Sequence, residues 1–388
     1  MRPIKLVRIT TVPLSMRLLL GGQPAYMRSK GMDVTLVSAE GADWEGIPDI
    51  GAYDVHKIGM SRQIDPIKDL RALWLLTRLF RRIKPDIVHS HTPKAGLLGM
   101  LAAKAAGVPV RMHTVAGMPL MESRGIKRWV LSQAERMTYA CASMVYPNSY
   151  HLKDFIAAAG LTRPAKLKVL AGGSSNGIDT DYFLRTAALE QSAAGLRRSL
   201  GIPPDAMVFV FVGRLVKDKG INELVKAFEA VHAKTPHTRL LLVGPFEEEL
   251  DPVAAHTKNS IDRHEAIISV GFQKDVRPYL TASDILAFPS YREGFPNVPM
   301  QAGCLGLPSI VTDINGCNEI IQEGVNGLIV PPKDGEALAG AMERLVLDEA
   351  LRTRCAVGAR ARILEKYRQQ VVWEALYEEY QRSLKDLN

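Results

Sequence analysis

Cysteine is scarce in this sequence, and its four residues are scattered. No Cys-x-x-Cys pair occurs, so the pattern indicates neither a disulfide framework nor a zinc module. Unpaired cysteines are typical of proteins in a reducing cytoplasm, and we expect this protein there. The cysteines are Cys141, Cys304, Cys317 and Cys355.

Long apolar runs are absent as well. No stretch reaches the roughly 18 residues that a membrane-spanning helix needs. The best one, residues 95–110, is interrupted by Lys104 and Pro109. The basic start of the chain is not followed by a clean apolar run either, because Arg8 interrupts it. We therefore predict a first strand over residues 2–11 and not a signal peptide.

Motifs that bind nucleic acid are also lacking, although the charge is uneven. Residues 1–170 contain 25 Lys and Arg against 12 Asp and Glu, whereas the remainder contains 24 against 29. The first half is therefore expected to meet an anionic partner. Without an RNA-binding aromatic motif, zinc finger or clear helix-turn-helix, we do not expect nucleic acid. An anionic inner-membrane surface fits better.

One segment of the basic half has the pattern of an interfacial helix. Residues 65–84 place apolar side chains beside a row of Lys and Arg at helical spacing. A core-facing helix with a solvated basic face explains the same pattern equally well.

The remaining composition is that of a globular protein. Of the 388 residues, 47% are hydrophobic and 23% are charged, and this length favours two domains. Short β-rich runs alternate with helix-length segments, which predicts an α/β fold with parallel sheets covered by helices on both faces. The predicted strands are 4–10, 33–38, 86–90, 110–114 and 144–147 in the first half and 207–212, 239–243, 267–270, 284–288, 309–311 and 327–330 in the second.

A turn-rich stretch, residues 171–179, indicates the crossing between the domains. We predict a first domain over residues 1–172 and a second over residues 173–366. The final amphipathic segment, residues 367–388, is expected to pack back on the first domain.

Two loops of the second domain carry the strongest chemical signal. The apolar run 207–212 ends at Gly213 and is followed by Arg214 and Lys219, cations that suit a diphosphate. Farther along, Glu293 precedes a Gly/Pro/Asn turn and a helix-like run, so free backbone N–H groups point at the turn, where phosphate oxygens fit. Surface cations and an acid at a helix N-terminus are the simpler alternatives.

Weaker candidates lie in the first domain. Gly21 and Gly22 follow the first strand and precede a helix-like stretch, so a ligand could approach the backbone there, although the full G-x-G-x-x-G spacing is missing. His113 is predicted to end a strand and to begin a loop that faces the cleft between the domains. A neutral imidazole there could hydrogen-bond a sugar hydroxyl or a developing charge. A loop glycine pair without a ligand and a structural histidine are the alternatives.

No metal site is expected. His89 and His91 would share a face of one strand, but no carboxylate pattern completes a site with them. Asp179 and Asp181 form a D-x-D pattern in the turn that follows Asn176-Gly177, where aspartates serve turn geometry and helix capping.

Taken together, the motifs resemble those of the retaining, nucleotide-sugar-dependent glycosyltransferases of family four, and the resemblance covers essentially the whole chain. It implies the GT-B fold, with two facing Rossmann-like, doubly wound domains and a C-terminal helix that crosses back. Residues 11–15 and 313–320 look similar to bacterial enzymes that build surface polysaccharide or lipid-linked oligosaccharide. The strongest matching segments, in the expected order, are residues 176–179, 213–220, 289–297, 316–320 and 327–334.

The resemblance also implies roles for single residues. Arg214 and Lys219 would hold the donor diphosphate, Glu293 would contact the transferred sugar, and His113 would lie near the reacting centre. Gln301 stands where the family typically has a second glutamate that accepts hydrogen bonds from the ribose. An amide still offers an acceptor oxygen, so nucleotide binding is expected. Further implied contacts to the donor come from Gly294, Phe295, Pro296 and Asn297, and from Gly271 and Phe272 at the base.

The expected activity is that of a retaining hexosyltransferase. It would move a hexose or N-acetylhexosamine from a nucleotide diphosphate-sugar, with a UDP-sugar as first choice, to a glycan or polyprenyl-diphosphate-linked acceptor. We expect no cofactor beyond the nucleotide sugar, and a peripheral position on the cytoplasmic face of the membrane. A nucleotide-sugar 2-epimerase and, because of Gln301, an inactive nucleotide-sugar-binding scaffold are the alternatives.

Overall fold

The chain divides into two compact units. Unit 1 consists of Met1–Gly177 and Gln369–Asn388, and unit 2 of Ile178–Arg368. The computed structural model describes residues 2–61, 65–247, 249 and 251–386. The unit boundaries therefore follow Gly177 and Arg368, whereas the sequence predicts them after residues 172 and 366.

Unit 1 is built on a parallel sheet of six strands. These are β1 (Lys5–Ile9), β2 (Asp33–Ser38), β3 (Asp54–Lys57), β4 (Ile87–His91), β5 (Val110–Val115) and β6 (Met144–Pro147). Their order across the sheet is β3-β2-β1-β4-β5-β6. The sequence predicts all of them except β3. This strand is a polar Asp-Val-His-Lys segment at the edge of the sheet, so no apolar run marks it.

Helices cover this sheet. They are α1 (Pro13–Leu20), α2 (Gln23–Ser29), α3 (Pro66–Ile83), α4 (Pro93–Ala105), α5 (Gly125–Cys141), α6 (Tyr150–Ala158) and, from the end of the chain, α15 (Gln369–Lys385). Leu376 and Tyr380 of α15 are 3% and 0% exposed and pack in one apolar cluster with Leu6 of β1. The last helix is therefore part of the core of unit 1.

Unit 2 repeats the same plan. Its strands are β7 (Met207–Val212), β8 (Thr238–Val243), β9 (Ile267–Ser269), β10 (Ile285–Phe288), β11 (Ser309–Thr312) and β12 (Gly327–Val330). They form a six-stranded parallel sheet in the order β12-β11-β10-β7-β8-β9. The central strands are apolar on both faces because helices cover both sides, as the sequence of β7, Met-Val-Phe-Val-Phe-Val, illustrates.

The helices of unit 2 alternate with these strands. They are α7 (Ala187–Ser199), α8 (Ile221–Lys234), α9 (Ala255–Arg263), α10 (Arg277–Thr281), α11 (Asn297–Cys304), α12 (Cys317–Ile320), α13 (Gly335–Leu347) and α14 (Glu349–Lys366). The predicted α/β architecture with doubly wound sheets is confirmed for both units.

The strand order determines where each sheet can bind a ligand. In a doubly wound sheet, ligands bind outside the carboxyl ends of the strands, at the point where the order reverses. In unit 2 this point lies between β7 and β10. These two strands lead directly into residues 213–220 and 289–296, the loops with the strongest chemical signal in the sequence.

None of the helices in the described ranges combines the length and the apolar character that a membrane span requires.

Candidate functional site

The loops after β7 and β10 lie against each other. The backbone N–H of Tyr291 donates to the carbonyl oxygen of Asp218 over 2.8 Å. Gly220 has a φ of +72°, and a Cβ atom there would collide with the carbonyl oxygen of Pro289. Only glycine combines this left-handed backbone with such a close approach. The contact between the loops fixes the positions of the side chains on either side of it.

Lys219 and Glu293 meet at this contact. The Nζ atom of Lys219 donates to Oε1 of Glu293 over 2.5 Å, and the two side chains are 18% and 15% exposed. A charge-assisted hydrogen bond in such a partly buried place is stronger than one in open solvent. The structure thus brings together the predicted phosphate-binding cation and the predicted sugar-binding acid, which are 74 residues apart in the sequence.

The turn that follows Glu293 is held by the loop after β11. The side-chain amide of Asn315 donates to the carbonyl oxygens of Glu293, over 3.1 Å, and of Gly294. A Cβ atom at Gly316 would lie 2.8 Å from the carbonyl oxygen of Gly294, so the two backbones are in close contact there. Asn315 is therefore a positioning residue that the sequence analysis did not single out. The neighbouring Gly316 is the sequence feature that points to a close backbone contact there.

Helix α11 begins directly after this turn. Asn297 is its first residue, and Pro296 precedes it without a side-chain cap. The first backbone N–H groups of the helix therefore have no partner within the helix and are available to an anion. Pro299 is the exception, because proline has no backbone N–H group. Gly294 and Phe295 form the approach to this end, and Gln301 lies one turn into the helix.

Arg214 contacts a carboxylate that the sequence analysis missed. Its Nη1 atom forms an ion pair with Oε2 of Glu247, in the loop that follows β8. The Arg214 side chain is 51% exposed, so it is more open to solvent than Lys219. The only sequence signal for Glu247 is a short acidic run after a predicted strand end.

Gly271 and Phe272 lie in the loop after β9. Gly271 has a φ of +65°, and the Phe272 side chain is among the exposed large apolar residues, at 73%. The amide of Gln273 donates to the carbonyl oxygen of Val270 over 2.8 Å and closes this loop. Binding of a base by this loop stays a prediction.

The glycine pair of unit 1 does not follow a strand, contrary to the prediction. Helix α1 lies between β1 and Gly21, and Gly22 precedes α2. A Cβ atom at Gly21 would lie 2.8 Å from Nδ2 of Asn176, and one at Gly22 would lie 2.6 Å from the Trp373 ring. Close packing against Asn176 and Trp373 thus accounts for the two glycines, and a role of this loop on the acceptor side stays a prediction.

The predicted position of His113 is also wrong. Strand β5 continues to Val115, so His113 lies inside the strand and not at its end. Its side chain is 2% exposed, and its Nδ1 atom is 2.8 Å from the hydroxyl of Ser90 on the next strand. A contact between His113 and a sugar stays a prediction.

The histidines and aspartates that resemble metal ligands are engaged by neighbouring groups. His89 lies 2.6 Å from the hydroxyl of Tyr380 and 2.8 Å from that of Thr114. His91 lies 3.0 Å from the buried guanidinium of Arg8. In the D-x-D pattern, the Asp179 carboxylate accepts hydrogen bonds from the backbone N–H groups of Asp181, over 3.1 Å, and Tyr182, over 2.9 Å. These bonds form the turn that the sequence predicts.

The buried histidines make the stability of the protein dependent on pH. Burial lowers the pKa of His113 to about 4, and burial lowers the pKa of His89 and His91 well below the usual value as well. Between about pH 6.5 and pH 4 the unfolded chain takes up protons at these positions and the folded chain does not, so stability falls as the pH falls. We expect the free energy of unfolding to drop by up to about 1.4 kcal/mol per pH unit for each group.

Urea titrations at several pH values within this window measure the effect. The substitution His113→Asn should make the dependence shallower, whereas the same change at the exposed His256 should leave it as it is. A denaturation midpoint that stays constant from pH 7 to pH 5 would contradict the assignment of neutral buried histidines.

Two family models match the chain. One, described as "Glycosyl transferases group 1", matches residues 194–362, which lie within unit 2. The other, described as "Glycosyl transferase 4-like domain", matches residues 23–173, which lie within unit 1.

The chain is also similar in sequence to individual glycosyltransferases. The chain is 34% identical over 398 residues to the capsular polysaccharide biosynthesis glycosyltransferase CapM of Staphylococcus aureus, with 100% of this chain and 99% of CapM covered. It is 28% identical over 298 residues to the UDP-Gal:alpha-D-GlcNAc-diphosphoundecaprenol alpha-1,3-galactosyltransferase of Escherichia coli, with 75% of this chain and 74% of that enzyme covered.

A solved structure shows the same fold. HepE of Anabaena, crystallised in complex with UDP, is 20% identical and superposes with a TM-score of 0.80 over 98% of this chain and 100% of its own. An identity of 34% over the whole chain, together with two matching family models, makes this protein a member of the group 1 glycosyl transferases, with the GT-B fold.

Proposed function

We propose that this glycosyltransferase moves a hexose or N-acetylhexosamine from a UDP-sugar to a glycan or polyprenyl-diphosphate-linked acceptor, with retention of the anomeric configuration. The observation that carries the proposal is the Lys219–Glu293 pair at the switch point of the unit 2 sheet. A cation beside an acid suits a ligand that joins a phosphate to a polyol. The named activity of the E. coli relative and the UDP bound to HepE support the donor, and CapM supports a role in surface polysaccharide synthesis.

In the proposed mechanism, unit 2 stabilises the leaving diphosphate. Lys219, Arg214 and the first N–H groups of α11 donate to phosphate oxygens, and their contribution rises as negative charge develops there. Glu293 accepts hydrogen bonds from hydroxyls of the transferred sugar and so fixes the position of its anomeric carbon. Fixed cations and amides supply the charge stabilisation, so the proposal includes no metal ion.

The proposed group transfer needs no protein nucleophile. The bond from the anomeric carbon to the diphosphate oxygen breaks, and the acceptor hydroxyl forms the new bond from the same face of the sugar. The proton of that hydroxyl passes to the departing phosphate oxygen. Retention then follows from the shared face and requires no covalent sugar–enzyme intermediate.

A membrane-bound acceptor is supported by the surface of unit 1. Helix α3 buries one apolar face but leaves Ile67, Leu70 and Trp74 exposed at 84%, 68% and 58%. Helix α5 exposes Ile126 and Trp129 at 83% and 64%. Apolar and aromatic side chains among basic ones are typical of helices that lie on an anionic bilayer. Exposed basic residues on the two helices include Lys68, Arg71, Arg78, Lys127 and Arg128.

We therefore propose a peripheral position on the cytoplasmic face of the inner membrane. Co-sedimentation with vesicles tests it. Binding to vesicles that contain anionic lipid, with release by salt, is expected, and equal recovery in the supernatant with or without such vesicles would contradict it.

The function itself is tested in two steps. A thermal-shift screen with UDP, ADP, GDP and their sugars should show the largest rise in midpoint with a UDP ligand, because a ligand that binds only the folded protein stabilises it. The selected donor is then incubated with and without a lipid-linked saccharide, and the products are identified by mass spectrometry and by the anomeric coupling in NMR.

Each alternative has its own outcome in that experiment. An α-linked product from an α-linked donor supports retention, and an inverted product contradicts it. Epimer formed from the donor alone would favour a nucleotide-sugar 2-epimerase. Tight donor binding without any product, even in a Gln301→Glu variant, would favour an inactive scaffold.

A further inference from the structure

The loop after β8 is fixed against the loop that carries Arg214. The backbone N–H of Leu215 donates to the carbonyl oxygen of Pro245 over 2.8 Å, and Leu215 and Phe246 form a parallel β-bridge. Farther along, the N–H of Lys217 donates to the carbonyl oxygen of Asp251 over 3.1 Å. The position of Glu247, next to Phe246, is therefore set by backbone pairing and not by the side-chain contact alone.

Glu247 uses this position to neutralise Arg214. Its Oε2 atom contacts Nη1 of Arg214, and the two side chains are 27% and 51% exposed. The guanidinium donates here to a carboxylate oxygen, which is the same type of acceptor as the oxygen of a phosphate. A carboxylate of the protein thus contacts the cation that the proposed function assigns to the diphosphate.

Two further ion pairs between the described residues of these loops show the same pattern. Lys219 contacts Glu293 over 2.5 Å, and Arg292 contacts Asp218 over 3.0 Å. Three cations therefore face three carboxylates, so these pairs together carry no net charge. A diphosphate binds these cations more tightly when it replaces one of the carboxylates, since two anions side by side repel each other.

The carboxylates differ in what they can do once a donor is bound. Glu293 has a second use, because sugar hydroxyls can replace Lys219 as its hydrogen-bond partners. Asp218 is anchored through its own backbone N–H, which donates to the Asp251 carboxylate over 2.6 Å. Glu247 contacts Arg214 and no other polar side chain in the part of the chain that the structure describes, and its side chain is the most exposed of the three carboxylates.

We propose that Glu247 sets the affinity for the donor by competing with its diphosphate for Arg214. This inference rests on the proposed function, since it assigns the diphosphate to Arg214. Before the donor binds, the carboxylate neutralises the charge of the guanidinium. When the donor binds, the diphosphate displaces the carboxylate, and Glu247 turns to solvent. Glu247 is thus an affinity-determining residue and not a catalytic one.

The substitution Glu247→Gln tests the competition, because it keeps the shape of the side chain and removes the charge. We expect the dissociation constants of UDP and of inorganic pyrophosphate, measured by titration calorimetry at low salt, to fall by about two- to fivefold, the range typical of an exposed ion pair. The gain should shrink at high salt, where exposed charges are screened. The same change at Glu265, an exposed residue before β9, should leave both constants unchanged.

A second substitution separates competition from a structural effect. If Glu247 acts through Arg214, Glu247→Gln should give no gain in an Arg214→Ala background. Unchanged or weaker binding in Glu247→Gln, an equal gain in both backgrounds, or no binding of either probe to any variant would overturn the proposal. Improved pyrophosphate binding without sugar transfer would instead leave Glu247 as proposed and count against the proposed function alone.

Discussion

Replacing Lys219 by alanine should lower turnover on the order of a hundredfold or more. The substitution removes a preorganised cation from the diphosphate at the moment when negative charge develops on it, and the loss of one such group has effects of this size. It also leaves Glu293, which is 15% exposed, without the cation that it contacts in the structure. Initial rates with saturating donor and acceptor measure the effect on turnover.

Lys217 provides the matched control. It lies in the same short turn, two residues before Lys219, and its side chain is exposed. Lys217→Ala changes the net charge of the loop by the same amount, so a general electrostatic effect would appear in both variants. Turnover close to that of the parent in Lys219→Ala, or an equal loss in both, would contradict the role of Lys219.

The substitution Glu293→Gln should separate binding of the nucleotide from binding of the sugar. The amide keeps the shape of the side chain but weakens each hydrogen bond from a sugar hydroxyl, and bonds to charged groups contribute about 1.5–3 kcal/mol each. A neutral bond contributes about 1–1.5 kcal/mol less than a charged one, so we expect turnover to fall roughly 5- to 10-fold for each bond that is weakened. Binding of UDP alone should be retained, since Lys219 no longer has a carboxylate competing for it.

Calorimetry with UDP and with the UDP-sugar, next to rate measurements, checks this separation. The affinity gained through the sugar should disappear in the variant while the affinity for UDP persists. Glu265→Gln is again the control, because it removes the same charge from an exposed position of unit 2. A parallel loss of UDP binding and transfer would mean that Glu293 supports the nucleotide site as a whole.

The fold was predictable from the sequence because parallel sheets covered on both faces have apolar strands. Runs such as Met207–Val212 identify buried strands directly. The edge strand Asp54–Lys57 has one neighbour and a polar sequence, so nothing distinguishes it from a loop. Helix Pro13–Leu20 was missed for a related reason, since its short apolar run continues from the first strand.

The site was predictable only in part. Lys219 and Glu293 each follow a strand, and the switch point of the sheet brings those strand ends together. The pairing of Arg214 with Glu247 depends on how two loops lie side by side, which no periodic pattern encodes. The prediction that His113 ends its strand was wrong because β5 continues to Val115, and a residue inside a strand of a sheet covered on both faces is buried.

A crystal structure of the protein with bound UDP tests the donor site most directly. We expect the pyrophosphate within hydrogen-bond distance of the Lys219 ammonium and the Arg214 guanidinium, with the Glu247 carboxylate moved away from Arg214. A pyrophosphate bound elsewhere, with the Lys219–Glu293 and Arg214–Glu247 pairs both intact, would contradict the assignment of these residues to the donor.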